Sequence, residues 1–107
     1  MATPEIIERY PQLATGREYA QMAACFTPDG VVTDEGKTYR GRAEIQAWRE
    51  QLAATFEYTV KVLTAQPGDD GRYRVTALIE GNFPGGRVEL TYTFRLEDEL
   101  IAELSIG

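Results

Sequence analysis

The second half of the chain constrains the fold most, because apolar and polar residues alternate there from residue 58 to the end. Alternation at a period of two is typical of β-strands with one buried face. Residues that favour turns divide the pattern into four runs, which lie at 58–62, 73–79, 88–96 and 100–106. Strands joined by short turns pair with their neighbours in sequence. The sequence therefore predicts a four-stranded meander as the main sheet.

Three helices are predicted before this meander. The first begins near Thr3, where Thr-Pro-Glu is typical of a helix start. It is expected to be short or kinked, because Pro11 removes a backbone hydrogen bond and its ring disturbs the preceding turn. The second is predicted at 17–26 and the third at about 42–55, each with apolar residues on one face.

A short β-hairpin is predicted between the second and third helices. Thr27-Pro28-Asp29-Gly30 has the composition of a turn, and Val31-Val32-Thr33 is β-branched, as expected of a strand. Asp34-Glu35-Gly36 then indicates a reversal into Lys37-Thr38-Tyr39. Helices followed by strands indicate an α+β fold, with helices on one face of a curved antiparallel sheet and a conical cavity between the layers. We expect one domain, at 1–107.

Composition argues against several kinds of function. There is no histidine and only one cysteine, Cys25, so His-based triads, zinc sites and intrachain disulfides are not expected. We expect neither a metal nor a cofactor. A net charge of −6 argues against a nucleic-acid partner. No apolar run approaches the ~20 residues that span a bilayer and no signal peptide is recognised, so we expect no membrane partner and a cytoplasmic location.

The order of elements and four local patterns resemble the NTF2-like superfamily, and within it the SnoaL-like branch. The four patterns are Thr15 to Phe26, Thr27-Pro28-Asp29-Gly30-Val31-Val32, Tyr39-Arg40-Gly41-Arg42-Ala43-Glu44-Ile45, and Gly81-Asn82-Phe83-Pro84-Gly85 followed by Val88 to Leu96. The resemblance implies a cone-shaped α+β barrel (a cystatin-like arrangement), with three helices on the concave face of the sheet, and commonly a homodimer. It implies no single function, because this fold hosts enzymes, binding modules and assembly domains.

Within that superfamily, two positions resemble those of the ketosteroid isomerases. In those enzymes a tyrosine of the first helix donates to the substrate oxyanion, and an aspartate after the first strand shuttles the proton. Tyr10 and Asp34 match these two positions. Tyr92 stands where the family has a protonated aspartate on the long strand, so the oxyanion hole would change in character although a hydroxyl can still donate. Pro11 beside Tyr10 is a second departure.

Each of these side chains also has a purely structural interpretation. Asp34 is either a base whose pKa is raised by burial, or part of an ordinary Asp-Glu-Gly turn. Tyr10 is either an oxyanion donor or a core residue, and Tyr92 is either a pocket donor or simple packing. The side chains expected to line the pocket are Tyr58, Trp48, Phe26 and Phe94.

Two functions from different classes remain open. One is an isomerase-like or polyketide-cyclase-like proton transfer on a small hydrophobic carbonyl compound, with Asp34 as base and Tyr10 and Tyr92 as donors. The alternative is a non-catalytic module that binds a small hydrophobic ligand or forms a homodimer through the outer face of its sheet. An inward Asp34 near both hydroxyls favours the enzyme, and a solvated Asp34 at a hairpin tip favours the module.

Overall fold

The computed structural model describes residues 4–68 and 70–107 of the chain. In this part of the chain three helices and six strands follow one another in the order α1 (Glu5–Leu13), α2 (Tyr19–Ala23), β1 (Phe26–Asp34), β2 (Lys37–Arg40), α3 (Arg42–Thr55), β3 (Tyr58–Pro67), β4 (Tyr73–Gly81), β5 (Arg87–Glu97) and β6 (Leu100–Ile106). The strands form one curved, open sheet in the order β2-β1-β6-β5-β4-β3. The α+β architecture predicted from the sequence is confirmed.

The four strands predicted in the second half of the chain form the expected meander. β3 pairs with β4, β4 with β5 and β5 with β6, all antiparallel. The alternation decides which face is covered, as β4 shows most clearly. Val75, Ala77 and Ile79 are buried, whereas Glu80 is exposed, as its position in the alternation predicted.

The helices cover the concave face of the sheet. Ile7 and Tyr10 of α1, Met22 of α2 and Ile45 and Trp48 of α3 belong to one buried cluster with the inward residues of the strands. α1 is short, as predicted, at nine residues, and it contains Pro11. Helical hydrogen bonding is present after the proline, where the Ala14 N–H donates to the Tyr10 carbonyl at 2.8 Å. Within the described residues, no helix is both long and apolar enough to cross a membrane.

The sheet is mixed, whereas a wholly antiparallel sheet was predicted. β1 runs parallel to β6, with Val32 beside Leu104 and Asp34 beside Ile106. Both Val32 and Leu104 are almost completely buried. Alternation within a strand tells which side chains face the core, but it contains no information about which distant strand covers the free edge of β6. The prediction therefore missed the parallel pair that joins the two halves of the chain.

Two boundaries near the start of β1 are also corrected. α2 ends at Ala23, and Thr27-Pro28-Asp29-Gly30 lies inside β1, where a turn was predicted. The pairing with β6 shifts in register between Phe26 and Val31, and such a bulge tolerates proline. The Phe26 carbonyl accepts two hydrogen bonds from the Arg42 guanidinium, at 2.8 and 3.0 Å. Pro and Gly here mark an irregular strand, which local composition does not distinguish from a turn.

The predicted reversal at Asp34-Glu35-Gly36 is present and places Asp34. Glu35 and Gly36 have positive φ angles of 52° and 78°, as two-residue hairpin turns require. Asp34 pairs with Lys37 as the last residue of β1. The exposed hairpin tip is therefore formed by Glu35 and Gly36, and Asp34 stays within the sheet.

Candidate active site

A cavity of about 330 Å³ lies between the helices and the sheet. Polar side chains that line it are Tyr10, Asp34, Glu35, Trp48, Arg49, Tyr58 and Tyr92. The apolar part of its wall includes Leu52, Phe83, Leu90 and Ile106. Most of the lining comes from three places that are distant in sequence: α1, α3 and the sheet. The arrangement is therefore a property of the fold rather than of any local motif.

Strand register aligns Asp34 with Tyr92. Asp34 of β1 lies beside Ile106 of β6, which in turn lies opposite Tyr92 of β5. The two residues are thus two strands apart in one row of the sheet, about 10 Å between Cα atoms at the usual strand spacing. Both line the cavity, on the same face as the helices.

Asp34 is a half-buried carboxylate with a specific hydrogen bond. The Trp48 indole N–H donates to Asp34 Oδ2 at 3.2 Å, and the Trp48 ring packs against Tyr39 with centroids 5.9 Å apart. Burial raises the pKa of Asp34, the Trp48 hydrogen bond opposes that rise, and the Glu35 charge adds to it. Asp34 is therefore a stronger base than an exposed aspartate, and Trp48 positions one of its oxygens.

Tyr10 is a buried phenol of α1. Its ring meets Phe26 and Phe94 edge-on, with centroids 5.9 and 5.6 Å away. Burial raises the pKa of Tyr10 well above its ordinary value, with smaller effects from Tyr92 and Tyr58. Phe26 and Phe94 pack against the Tyr10 ring and do not line the 330 Å³ cavity, whereas Tyr58 and Trp48 do line it.

Tyr92 is a second buried phenol close to the first. Its ring centroid is 6.5 Å from that of Tyr10, and it stacks on Phe94 at 6.4 Å. Burial raises the pKa of Tyr92, and the nearby Tyr58 and Asp34 raise it further. Within residues 4–68 and 70–107, neither the Tyr10 nor the Tyr92 hydroxyl has a hydrogen-bond partner. Neither hydroxyl oxygen is fully enclosed by protein atoms, and both side chains line the cavity. Both are neutral donors available to the cavity.

Arg49 is a site residue that the sequence analysis missed. It lies in α3 and is only 3% exposed. Its Nη2 donates to the Gly16 carbonyl at 3.1 Å and its Nη1 to the Tyr58 hydroxyl at 3.5 Å. Ile45, Trp48, Arg49 and Leu52 fall at i, i+3, i+4 and i+7, so Arg49 stands within the apolar stripe of α3. That charged residue in an otherwise apolar stripe was the available signal.

A wider groove adjoins the cavity on the Arg49 side. Its volume is about 850 Å³, and Arg49, Phe56 and Tyr58 line both spaces.

Within the part of the chain that the structure describes, no three His, Cys, Asp or Glu side chains are grouped to bind a metal ion.

The chain belongs to the SnoaL-like domain family, whose model matches residues 7–104. The resemblance inferred from the sequence is thereby confirmed. No match was found among curated proteins.

Solved structures show the same fold. The chain is similar to a candidate polyketide cyclase from Sinorhizobium meliloti, at 31% identity and a TM-score of 0.91 over 98% of this chain and 95% of that one. It is also similar to a protein of ketosteroid isomerase-like fold from Catenulispora acidiphila, in complex with trimethylamine, at 24% identity and a TM-score of 0.88 over 99% and 86%. A Mycobacterium tuberculosis protein in complex with estradiol-17β-hemisuccinate aligns at 16% identity and a TM-score of 0.78 over 94% and 88%.

The raised pKa of Asp34 predicts how its replacement changes stability with pH. The folded protein binds this proton more tightly than the unfolded chain, whose aspartates titrate near 3.9. Ionising Asp34 therefore costs stability as pH rises, and the full cost is present above the folded-state pKa. We expect Asp34→Asn to raise the free energy of unfolding at pH 7, with a gain that shrinks as pH falls through the folded-state pKa.

Urea denaturation at pH values from 3 to 8 measures this effect. The matched control is Asp29→Asn, which changes an exposed aspartate of the same strand and should show a smaller gain. A less stable Asp34→Asn protein at pH 7 would contradict the desolvation described above.

Proposed function

We propose that this SnoaL-like protein is a cofactor-free acid–base catalyst of the isomerase or cyclase type, acting on a small hydrophobic carbonyl compound. Asp34 is the base, and the Tyr10 and Tyr92 hydroxyls are the oxyanion donors. One observation supports this most: a half-buried carboxylate with a raised pKa lines the same cavity as two neutral phenols whose hydroxyls are unpaired in the described structure. The family match over residues 7–104 supports one domain at 1–107.

The proposed reaction begins with proton abstraction next to the carbonyl group. The Asp34 carboxylate takes a C–H proton, and the electron pair moves onto the carbonyl oxygen to form an enolate. The Trp48 indole N–H already donates a hydrogen bond to Asp34 Oδ2, so Oδ1 is the oxygen available to the substrate. The Tyr10 and Tyr92 hydroxyls hydrogen-bond the enolate oxygen, and their raised pKa values keep their protons on the phenols.

The enolate then has two outcomes. In an isomerisation, Asp34 returns the proton to a different carbon of the same molecule. In a cyclisation, the enolate carbon attacks a second carbonyl carbon of the substrate and forms a C–C bond, while the π electrons of that C=O bond move onto its oxygen. The protonated Asp34 then gives its proton to this alkoxide and returns to the carboxylate. The likeness to a candidate polyketide cyclase favours ring closure. Complexes of two proteins with this fold, with trimethylamine and with an estradiol derivative, support a small-molecule ligand.

Loss of the proposed base is expected to abolish the proton transfer. Two probes suit a cavity of 330 Å³: cyclohexanone in D2O, followed by deuterium incorporation, and 3-cyclohexenone, followed by its conversion to the conjugated ketone. Asp34→Asn should lower the rate by about 10²- to 10⁴-fold. Tyr10→Phe and Tyr92→Phe should each lower it by about tenfold or more, because each removes one oxyanion donor.

Two matched controls separate these roles from general damage. Asp29→Asn and Tyr73→Phe change an exposed aspartate and a tyrosine outside the cavity, and both should retain the wild-type rate. Exchange that is unaffected by Asp34→Asn would contradict the assigned base. Absence of exchange with wild-type protein would favour the alternative, a non-catalytic binding module.

We also propose that two copies associate through the outer face of the sheet. Leu63 lies at the register shift of β3 and is 45% exposed, and Thr91 and Thr93 of β5 alternate with the buried Tyr92 and Phe94. The outer face therefore offers hydroxyl groups to a second copy, and Leu63 adds exposed apolar area at the bulge of the edge strand β3.

Light scattering after gel filtration tests the dimer. At micromolar concentrations the wild-type mass should be twice that of the 12.0 kDa chain. Leu63→Lys should shift the protein toward monomer, and Gln51→Lys, on the exposed face of α3, should not. A wild-type monomer under these conditions would exclude the proposed interface.

A further inference from the structure

Arg49 is a buried cation with no counter-ion among the residues that the structure describes. Its five N–H donors have two acceptors, the Gly16 carbonyl and the Tyr58 hydroxyl, and the second contact is long at 3.5 Å. The Nε–H is enclosed and has no hydrogen-bond partner in the described part of the chain. Among residues 4–68 and 70–107, no carboxylate lies within ion-pair distance of the guanidinium. A buried guanidinium that has no anionic partner lowers the stability of the fold unless another group pairs with its charge.

Two aromatic rings offset only part of the cost of burying the Arg49 charge. The guanidinium carbon lies 5.8 Å from the Tyr19 ring centroid and 5.6 Å from that of Tyr58. Contacts at this range are favourable but weaker than a hydrogen-bonded ion pair. The guanidinium therefore lies near two aromatic rings, and part of its hydrogen-bond donor capacity stays unused.

The position of Arg49 gives a ligand access to it. Arg49 lines both the 330 Å³ cavity and the adjoining groove, and Tyr58 lines both with it. Arg49 donates to Gly16 and Tyr58, whereas Asp34 accepts from Trp48, the residue before Arg49 in α3. The cation and the base therefore have separate hydrogen-bond partners in the wall of one cavity.

We propose that the cavity takes a substrate with a carboxylate group, which pairs with the Arg49 guanidinium while the reacting carbonyl group lies at Asp34. The inference rests on the proposed function and narrows its substrate class to small hydrophobic oxo acids. Arginine suits this role because its planar fork matches the two oxygens of a carboxylate. Asp34 lines the cavity and does not line the outer groove, which is lined by Glu50, Glu57 and Glu80. A substrate whose carbonyl group lies at Asp34 therefore reaches Arg49 from the cavity side, although Asp34 and Glu35 also place negative charge there.

Hexanoate and hexanol serve as a matched pair of probes. They share a six-carbon chain and differ in charge, and neither has a carbonyl group that can be enolised under these conditions. In NMR titrations at pH 7, wild-type protein should bind hexanoate about tenfold or more tightly than hexanol. The Arg49 Nε–H resonance, assigned by its absence in Arg49→Lys, should shift with hexanoate and not with hexanol.

The variants separate the Arg49 charge from the shape of the cavity. Arg49→Met should lose the preference for hexanoate and keep its affinity for hexanol, which also shows that the cavity is intact. Arg17→Met removes an exposed cation of the same groove and should keep the preference. If Arg49→Met does not fold, the proposal is still tested by the ratio of hexanoate to hexanol affinity in wild-type protein and by the shift of the Arg49 Nε–H resonance.

Equal or tighter binding of hexanol by wild-type protein would overturn the proposal, as would a preference for hexanoate that survives in Arg49→Met. This outcome is separate from the fate of the proposed reaction. Asp34→Asn should retain the hexanoate preference although it loses proton exchange. If wild-type protein catalyses proton exchange but does not prefer hexanoate, only the proposed substrate class is contradicted. If it prefers hexanoate but does not catalyse exchange, only the proposed reaction is contradicted.

Discussion

The parallel pairing of β1 with β6 is the constraint on which the candidate site depends. It joins the β1–β2 hairpin to the meander and places Asp34 beside Ile106. Ile106 in turn lies opposite Tyr92 in the antiparallel β5–β6 pair. A shift of one residue in this register would turn Asp34 to the opposite face of the sheet. The bulge between Phe26 and Val31 is the point where the β1–β6 register is set, and the tight Glu35-Gly36 turn ends β1 directly after Asp34.

Desolvation suits the groups that the register brings together to their proposed chemical roles. The same burial raises the pKa of Asp34 toward the range where a carboxylate is a useful base, and raises the pKa values of Tyr10 and Tyr92 so that both remain neutral donors. Trp48 limits the rise at Asp34 through its hydrogen bond. Arg49 supplies positive charge to the same cavity, beside the Tyr58 phenol.

The sequence predicted those features that local patterns determine. Alternation located the meander, spacing located α3 at Arg42–Thr55, and the Asp34-Glu35-Gly36 reversal was recognised from its turn residues. The β1–β6 pair was missed because contacts between distant strands leave no periodic signal. The 27–30 segment was misassigned because proline and glycine suit a bulge as well as a turn. Side-chain environments, such as the enclosure of Arg49, depend on how α3 packs and cannot be derived from its spacing alone.

The pKa of Asp34, measured by NMR titration of its carboxyl carbon, tests the proposed base most directly. Asp34→Asn assigns the signal by its disappearance. A desolvated base in the cavity should titrate above the reference of about 3.9, and Trp48→Phe should raise its pKa further, because the indole N–H stabilises the ionised form. A pKa at or below the reference would mean a solvated aspartate, and would contradict both the cavity-facing carboxylate and its role as a base.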